Sequence, residues 1–131
     1  MEIGAATGRY SHYFAQKGFE VDAVELIEHN IEVFKTKTLP GENVRIKQGN
    51  ALDLSEYPDN SYDATLLLGP MYHLYTANEQ QKALSEAIRI TKPEGYIFVA
   101  YCMLEPSMFC CFKNNRIDKP SPIATAKPTI S

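Results

Sequence analysis

The sequence has no tryptophan and only three cysteines, Cys102, Cys110 and Cys111. Three is an odd number, and two of them are adjacent. That leaves no disulfide framework and no zinc-ligand spacing, so a reducing, cytoplasmic setting is expected. Positive charge is also scarce, with 13 Lys and Arg against 16 Asp and Glu. Binding a phosphate backbone needs a basic face, so nucleic acid is not expected as a partner. No apolar run approaches the roughly 20 residues that span a bilayer, so no membrane partner is expected. The first residues lack a charged segment followed by an apolar one, and no secretory signal is read there. The histidines are His12, His29 and His73, and their spacing suits no metal.

What is present suits one folding unit. At 131 residues and 44% apolar, the chain has the size and composition of a single globular domain. The organised part is expected over residues 1–104. Four of the eight prolines (Pro106, Pro120, Pro122, Pro128) come later. Beyond Phe112 the only large apolar residues are Ile117, Ile123 and Ile130. Residues 105–131 therefore read as an irregular or flexible tail. Cys110 and Cys111 lie in the apolar run Met108–Phe112, which reads as packing.

Over 1–104, strand and helix patterns alternate. Met1–Ile3 reads as the end of a strand, and Gly4–Gly8 as a glycine-rich turn. Arg9–Lys17 reads as a helix with Tyr10, Tyr13, Phe14 and Lys17 on one stripe and Gly18 closing it. Strands follow at Glu20–Leu26 and Val44–Gln48. Between them, Ile27, Ile31 and Phe34 predict a helix over Glu28–Lys37. Tyr62–Leu68 is nearly all apolar, as in a strand covered on both faces. Thr76 and Glu79 fit a capping box before a helix that carries Leu84, Ala87, Ile88 and Thr91 along one side. Lys92–Gly95 reads as a turn and Tyr96–Tyr101 as the last strand. His12 and His29 fall on helices and are expected to face solvent. The scattered tyrosines are expected in the core. The alternation predicts an α/β fold with a mostly parallel sheet and helices on both faces. Ligands of such sheets bind at the carboxyl ends of the strands.

One such end is the run Glu2-Ile3-Gly4-Ala5-Ala6-Thr7-Gly8. Its small residues let a ligand approach the backbone and let a helix start close to the sheet. Glu25 follows after the second strand, where a carboxylate can accept hydrogen bonds from both hydroxyls of a ribose. The alternative is a glycine-rich turn with no ligand. A dinucleotide fingerprint would need a third small residue at position 9, and Arg9 stands there.

The spacing acidic-x-Gly-x-small-x-Gly resembles motif I of the class I S-adenosylmethionine-dependent methyltransferases. Val24-Glu25-Leu26, Gly49-Asn50-Ala51, Asp63–Leu68 leading into Gly69-Pro70, and Lys92-Pro93-Glu94-Gly95 resemble that family's later landmarks, in its order. The closest likeness is to the small-molecule, ubiquinone-biosynthesis-like branch. The resemblance implies a Rossmann-like three-layer sandwich that binds S-adenosyl-L-methionine and releases S-adenosyl-L-homocysteine. It implies that Glu2 holds the methionine amino group and that Gly4, Ala6 and Gly8 line the amino-acid half. Glu25 would bind the ribose, Leu26 would pack on the adenine, and Asn50 and Ala51 would meet its edge. Leu68 and Gly69 would border the sulfonium.

A sulfonium is already an activated methyl donor, so positioning can supply much of the acceleration. A base is needed only for an acceptor of high pKa. Tyr72 and His73, in the loop after the fourth strand, are the candidate catalytic residues. Surface or packing roles are the alternative for both. Enzymes that methylate nucleic-acid amino groups place an Asn or Asp side chain where Gly69 stands, so a small-molecule acceptor is expected. Only Met1 and Ile3 remain of the family's first strand, and residues 105–131 do not resemble its last strands. The resemblance thus implies a chain truncated at both ends, with open sheet edges that favour a homo-oligomer. The alternative function is a non-catalytic, truncated remnant that binds the cofactor and self-associates.

Overall fold

A computed structural model of the protein describes residues 1–101. The expected tail at 105–131 and all three cysteines lie outside the described residues. The elements are β1 (Glu2–Ile3), α1 (Arg9–Gln16), β2 (Val21–Glu25), α2 (Glu28–Lys37), β3 (Val44–Gln48), β4 (Tyr62–Leu67), a single 3-10 turn (Pro70–Tyr72), α3 (Ala77–Ile90) and β5 (Thr91–Val99). The five strands form one sheet in the order β3-β2-β1-β4-β5. Every pairing is parallel. The strand order reverses at β1, so the crossovers through α1 and α2 lie on one face and the crossover through α3 on the other. This is the expected three-layer α/β architecture. Among the described residues, no helix is long and apolar enough to cross a membrane.

The central strand is only two residues long. Glu2 and Ile3 pair with Ala23 and Val24 on one side and with Leu66 and Leu67 on the other. Alternation sends their side chains to opposite faces. Ile3 joins Val24, Leu67 and the α3 residues Ala83, Ala87 and Ile90 in the larger core cluster. On the other face, Ala5, Ala23 and Phe34 form a second cluster under α1 and α2.

Three helical expectations differ from the structure in which side chains are buried. In α1 the buried residues are Ser11, His12 and Ala15, whereas Tyr10 and Tyr13 are exposed. Polar side chains can be turned inward here because each has a partner. Ser11 Oγ donates to Glu2 Oε2. His12 Nδ1 lies 2.7 Å from Glu42 Oε2, and its Nε2 lies 3.2 Å from the Phe34 carbonyl oxygen. His12 thus faces the core, against expectation, while His29 is exposed as expected. In α2, Ile31 and Phe34 are buried as expected, but Ile27 is exposed. In α3 the buried residues are Ala83, Ala87 and Ile90, so of the expected side Ala87 and, just past the helix, Thr91 are buried. Ile88 is exposed.

The caps follow the sequence. Phe19 N donates to Phe14 O and Gly18 N to Ala15 O, at 3.1 and 3.0 Å. With the Phe14 and Phe19 rings in edge contact, this is a Schellman closure of α1. At α3, Glu79 N donates to Thr76 Oγ1, and Thr76 N donates back to Glu79 Oε2, both at 3.2 Å.

Two strand expectations are also corrected. Lys92–Gly95 is not a turn before β5 but an irregular stretch within it. Tyr62 pairs with Thr91 and Ala64 with Tyr96, so Asp63 alone opposes those four residues. β4 is covered on one face only among the described residues: Thr65 and Leu67 are buried, while Ala64 on the other face is exposed. Beside it on β5, Tyr96 and Phe98 are exposed too. Against expectation, six of the eight tyrosines (Tyr10, Tyr13, Tyr72, Tyr75, Tyr96 and Tyr101) are exposed, and only Tyr57 and Tyr62 pack, partly buried, against the larger core.

Between β3 and β4 the chain forms turns, and its backbone needs partners. Arg89 supplies them, donating to the carbonyls of Tyr57 and Leu54 at 2.9 and 2.8 Å. Glu86 holds the guanidinium at 2.9 Å and accepts from Leu54 N at 2.6 Å. Leu54 is thereby fixed in the larger core, 1% exposed. Removing this clamp leaves carbonyls and a carboxylate short of donors. Arg89→Ala is expected to destabilise the fold by about 2 kcal/mol, read by urea unfolding followed by circular dichroism. An unchanged midpoint would contradict the clamp.

Candidate functional site

The carboxyl ends of β1, β2, β3 and β4 open onto one cleft of about 420 Å³. Its floor is the loop after β1. Gly4 and Gly8 take φ of +72° and +85°, and Ala6 takes +48°. The two glycines are required by space as well as by angle. A Cβ on Gly4 would stand 2.5 Å from Pro70 Cδ, and one on Gly8 would stand 2.5 Å from Phe34 Cδ2. Gly4 lets the loop after β4 close on the glycine loop. Gly8 lets α1 start against α2. Ala6 holds a left-handed backbone at a cost of about 1 kcal/mol.

That cost is offset by Glu25. The Ala6 N–H donates to Glu25 Oε2 at 2.8 Å. Glu25 Oε1 accepts from Ile27 N and from Asn30 Nδ2, each at 3.1 Å. Hydrogen bonds to a carboxylate are stronger than those between neutral groups. Glu25 is 6% exposed, yet it lines the cleft. One buried carboxylate therefore ties the glycine loop to the end of β2 and the start of α2.

Of the residues anticipated from sequence, Gly4, Ala6, Glu25, Leu26, Asn50, Ala51, Gly69 and His73 line this cleft. Glu2, Gly8, Leu68 and Tyr72 do not. Glu2 points under α1 to Ser11, Gly8 is buried against Phe34, and Tyr72 is exposed outside the cleft. Asn50 Oδ1 already accepts from Leu52 N at 3.0 Å, closing an Asx turn. A carbonyl oxygen has two lone pairs, so one acceptor position is left there. Leu26 and Ile27 are exposed at 59% and 56%; with Leu52 and Leu74 they make the walls apolar. Glu25 and Glu79 are the charged lining residues, and no Lys or Arg lines the cleft among the described residues.

A family described as a methyltransferase domain matches residues 1–99. The chain belongs to this methyltransferase domain family. A demethylmenaquinone methyltransferase of Renibacterium salmoninarum is 32% identical over 100 residues, covering 76% of this chain and 39% of that protein. An S-adenosyl-L-methionine-dependent Diels-Alderase of Talaromyces variabilis is 26% identical over 121 residues, covering 89% of this chain and 40% of that protein. A solved SAM-dependent methyltransferase from Methanosarcina mazei superposes with a TM-score of 0.68 at 26% identity, covering 75% of this chain and 49% of that one. The chain thus spans about two fifths of the length of the curated relatives it matches.

In this methyltransferase domain the sequence reading missed Ile27, Asn30, Leu52, Leu74 and Glu79 as lining residues. Asn30 lies on the first turn of α2, five residues after Glu25. A carboxylate ending a strand just before a helix is a signal for donors in that helix's first turn. Glu2 is the second buried carboxylate of the domain. Burial pushes its carboxyl up, and the Ser11 hydrogen bond only partly opposes this. The folded protein therefore favours neutral Glu2. Its favourable contribution is fully present below the ordinary glutamate value of 4.5 and is lost as pH rises through the raised one. Glu2→Gln keeps the neutral form and an acceptor for Ser11. The stability of Glu2→Gln relative to the parent is expected to grow as pH rises from 4.5, measured by thermal melts. An offset that does not change with pH would contradict the buried-carboxyl account.

Proposed function

We propose that the cleft binds S-adenosyl-L-methionine and that the whole protein transfers its methyl group to a small-molecule acceptor. The observation that carries this is the pairing of a buried acceptor, Glu25, with a cleft lined by carboxylates and by no cation among the described residues. A dinucleotide brings a pyrophosphate, for which such a lining supplies no counter-charge. S-adenosylmethionine brings a sulfonium and an ammonium against one carboxylate, which suits it. The volume of about 420 Å³ is within the usual range for small-molecule sites.

When bound, this cofactor supplies a methyl carbon activated by the sulfonium. The roles left to the chain are binding and orientation. Glu25 accepts from the ribose, Leu26 and Ile27 cover the adenine, and Asn50 and Ala51 meet its edge. The backbone of Gly4 and Ala6 lines the amino-acid half, with Glu2 acting on it from beneath the loop. Gly69 and the adjoining Leu68 border the reacting end. His73 lines the cleft at that end and is the residue placed to take a proton from an acceptor that must lose one. Tyr72 is left to contact the acceptor from outside the cleft. Gly69 carries no side-chain oxygen to grip an exocyclic amino group, which speaks against a nucleic-acid amino group as acceptor.

Calorimetric titration with S-adenosylhomocysteine tests the reading. The 131-residue chain is expected to bind it, and Glu25→Gln is expected to bind it at least about tenfold more weakly, as loss of hydrogen bonds to a charged acceptor demands. Equal affinity of the two would remove Glu25 from the ribose site. Absence of binding in both would remove the cofactor.

A further inference from the structure

We propose that Asn30 is a positioning residue for ribose recognition, fixing the Glu25 carboxylate with its amide nitrogen and offering its amide oxygen to the second hydroxyl of the diol. The proposal rests on the cofactor reading above. An ionised carboxylate offers about four acceptor positions. Three are taken by protein donors. Glu25 Oε1 accepts from Ile27 N and Asn30 Nδ2, and Oε2 accepts from Ala6 N. One position on Oε2 is left.

The three donors differ in kind. The N–H groups of Ala6 and Ile27 belong to the backbone, set by the glycine loop and by the entry to α2. Asn30 is the one donor on a rotatable side chain. A ribose has two neighbouring hydroxyls, and the first can use the position left on Oε2. The second donates to the amide oxygen of Asn30, whose Nδ2 holds Oε1 at 3.1 Å. Recognition of the second hydroxyl thus runs through Asn30, which lines the same cleft. Without its amide, Oε1 keeps a single donor and the carboxylate turns more freely, so ligand binding has to order it.

Affinities for S-adenosylhomocysteine and for its 2′,3′-dideoxy analogue, measured by calorimetry on the full chain, test this. For Asn30→Ala, about a tenfold loss is expected with S-adenosylhomocysteine, the size of one hydrogen bond to a charged group. Affinity for the analogue, which has no diol, is expected within about twofold of the parent. Asn30→Leu keeps the approximate size but offers neither donor nor acceptor, and the same selective loss is expected. This second variant serves if the first fails to fold. In a Glu25→Gln background, Asn30→Ala is expected to have no further effect, because the two act as one unit. Equal losses for both ligands, no loss for either, or full additivity with Glu25→Gln would each overturn the role of Asn30. A parent chain that binds neither ligand would instead overturn the cofactor reading, and this proposal with it.

Discussion

The carboxylate of Glu25 is the point at which the sheet, the glycine loop and α2 are joined. It is buried, and a buried charge is stable only when its oxygens are supplied with donors. The donors come from Ala6, Ile27 and Asn30. Ala6 can donate because its backbone is left-handed, and the loop can take that path because Gly4 and Gly8 leave room for Pro70 and Phe34. The cleft is therefore not a gap between finished elements. Its floor is shaped by the requirement to satisfy one charge.

That floor stands on a very short strand. β1 contributes two residues, but they pair on both sides and send one side chain into each core. Ile3 enters the cluster under α3, and Glu2 reaches Ser11 under α1. Extra bonds extend the pairing: Gly4 N and Ala5 N both donate to Val24 O, and Leu66 N donates to Met1 O. The short strand is held as a bridge between β2 and β4, and the glycine loop inherits its position from that bridge.

The architecture was legible where one signal dominated. α2 and β3 begin and end where apolar periodicity places them. The Thr76 capping box is present because it needs only residues close in sequence. What periodicity missed depends on distant partners. Ser11 and His12 are turned inward by Glu2 and Glu42, and no local pattern announces that. The irregular Lys92–Gly95 stretch stays inside β5 because Thr91 and Tyr96 both pair with β4. The ten cofactor positions inferred from sequence divide in the same way, with seven lining the cleft. Those whose role needs a backbone path or a strand end line the cleft, among them Gly4, Glu25, Asn50 and Gly69. Glu2 and Gly8 instead lie beneath it, where their contacts are with α1 and Phe34.

The central claim concerns which nucleotide-like ligand the cleft accepts. Thermal unfolding of the chain by circular dichroism, with S-adenosylhomocysteine or with NAD, tests it most directly, since a ligand that binds only the folded form raises the midpoint. The account predicts a rise that grows with S-adenosylhomocysteine concentration and no rise with NAD. A rise with NAD, or none with S-adenosylhomocysteine in a chain that melts cooperatively, would contradict it.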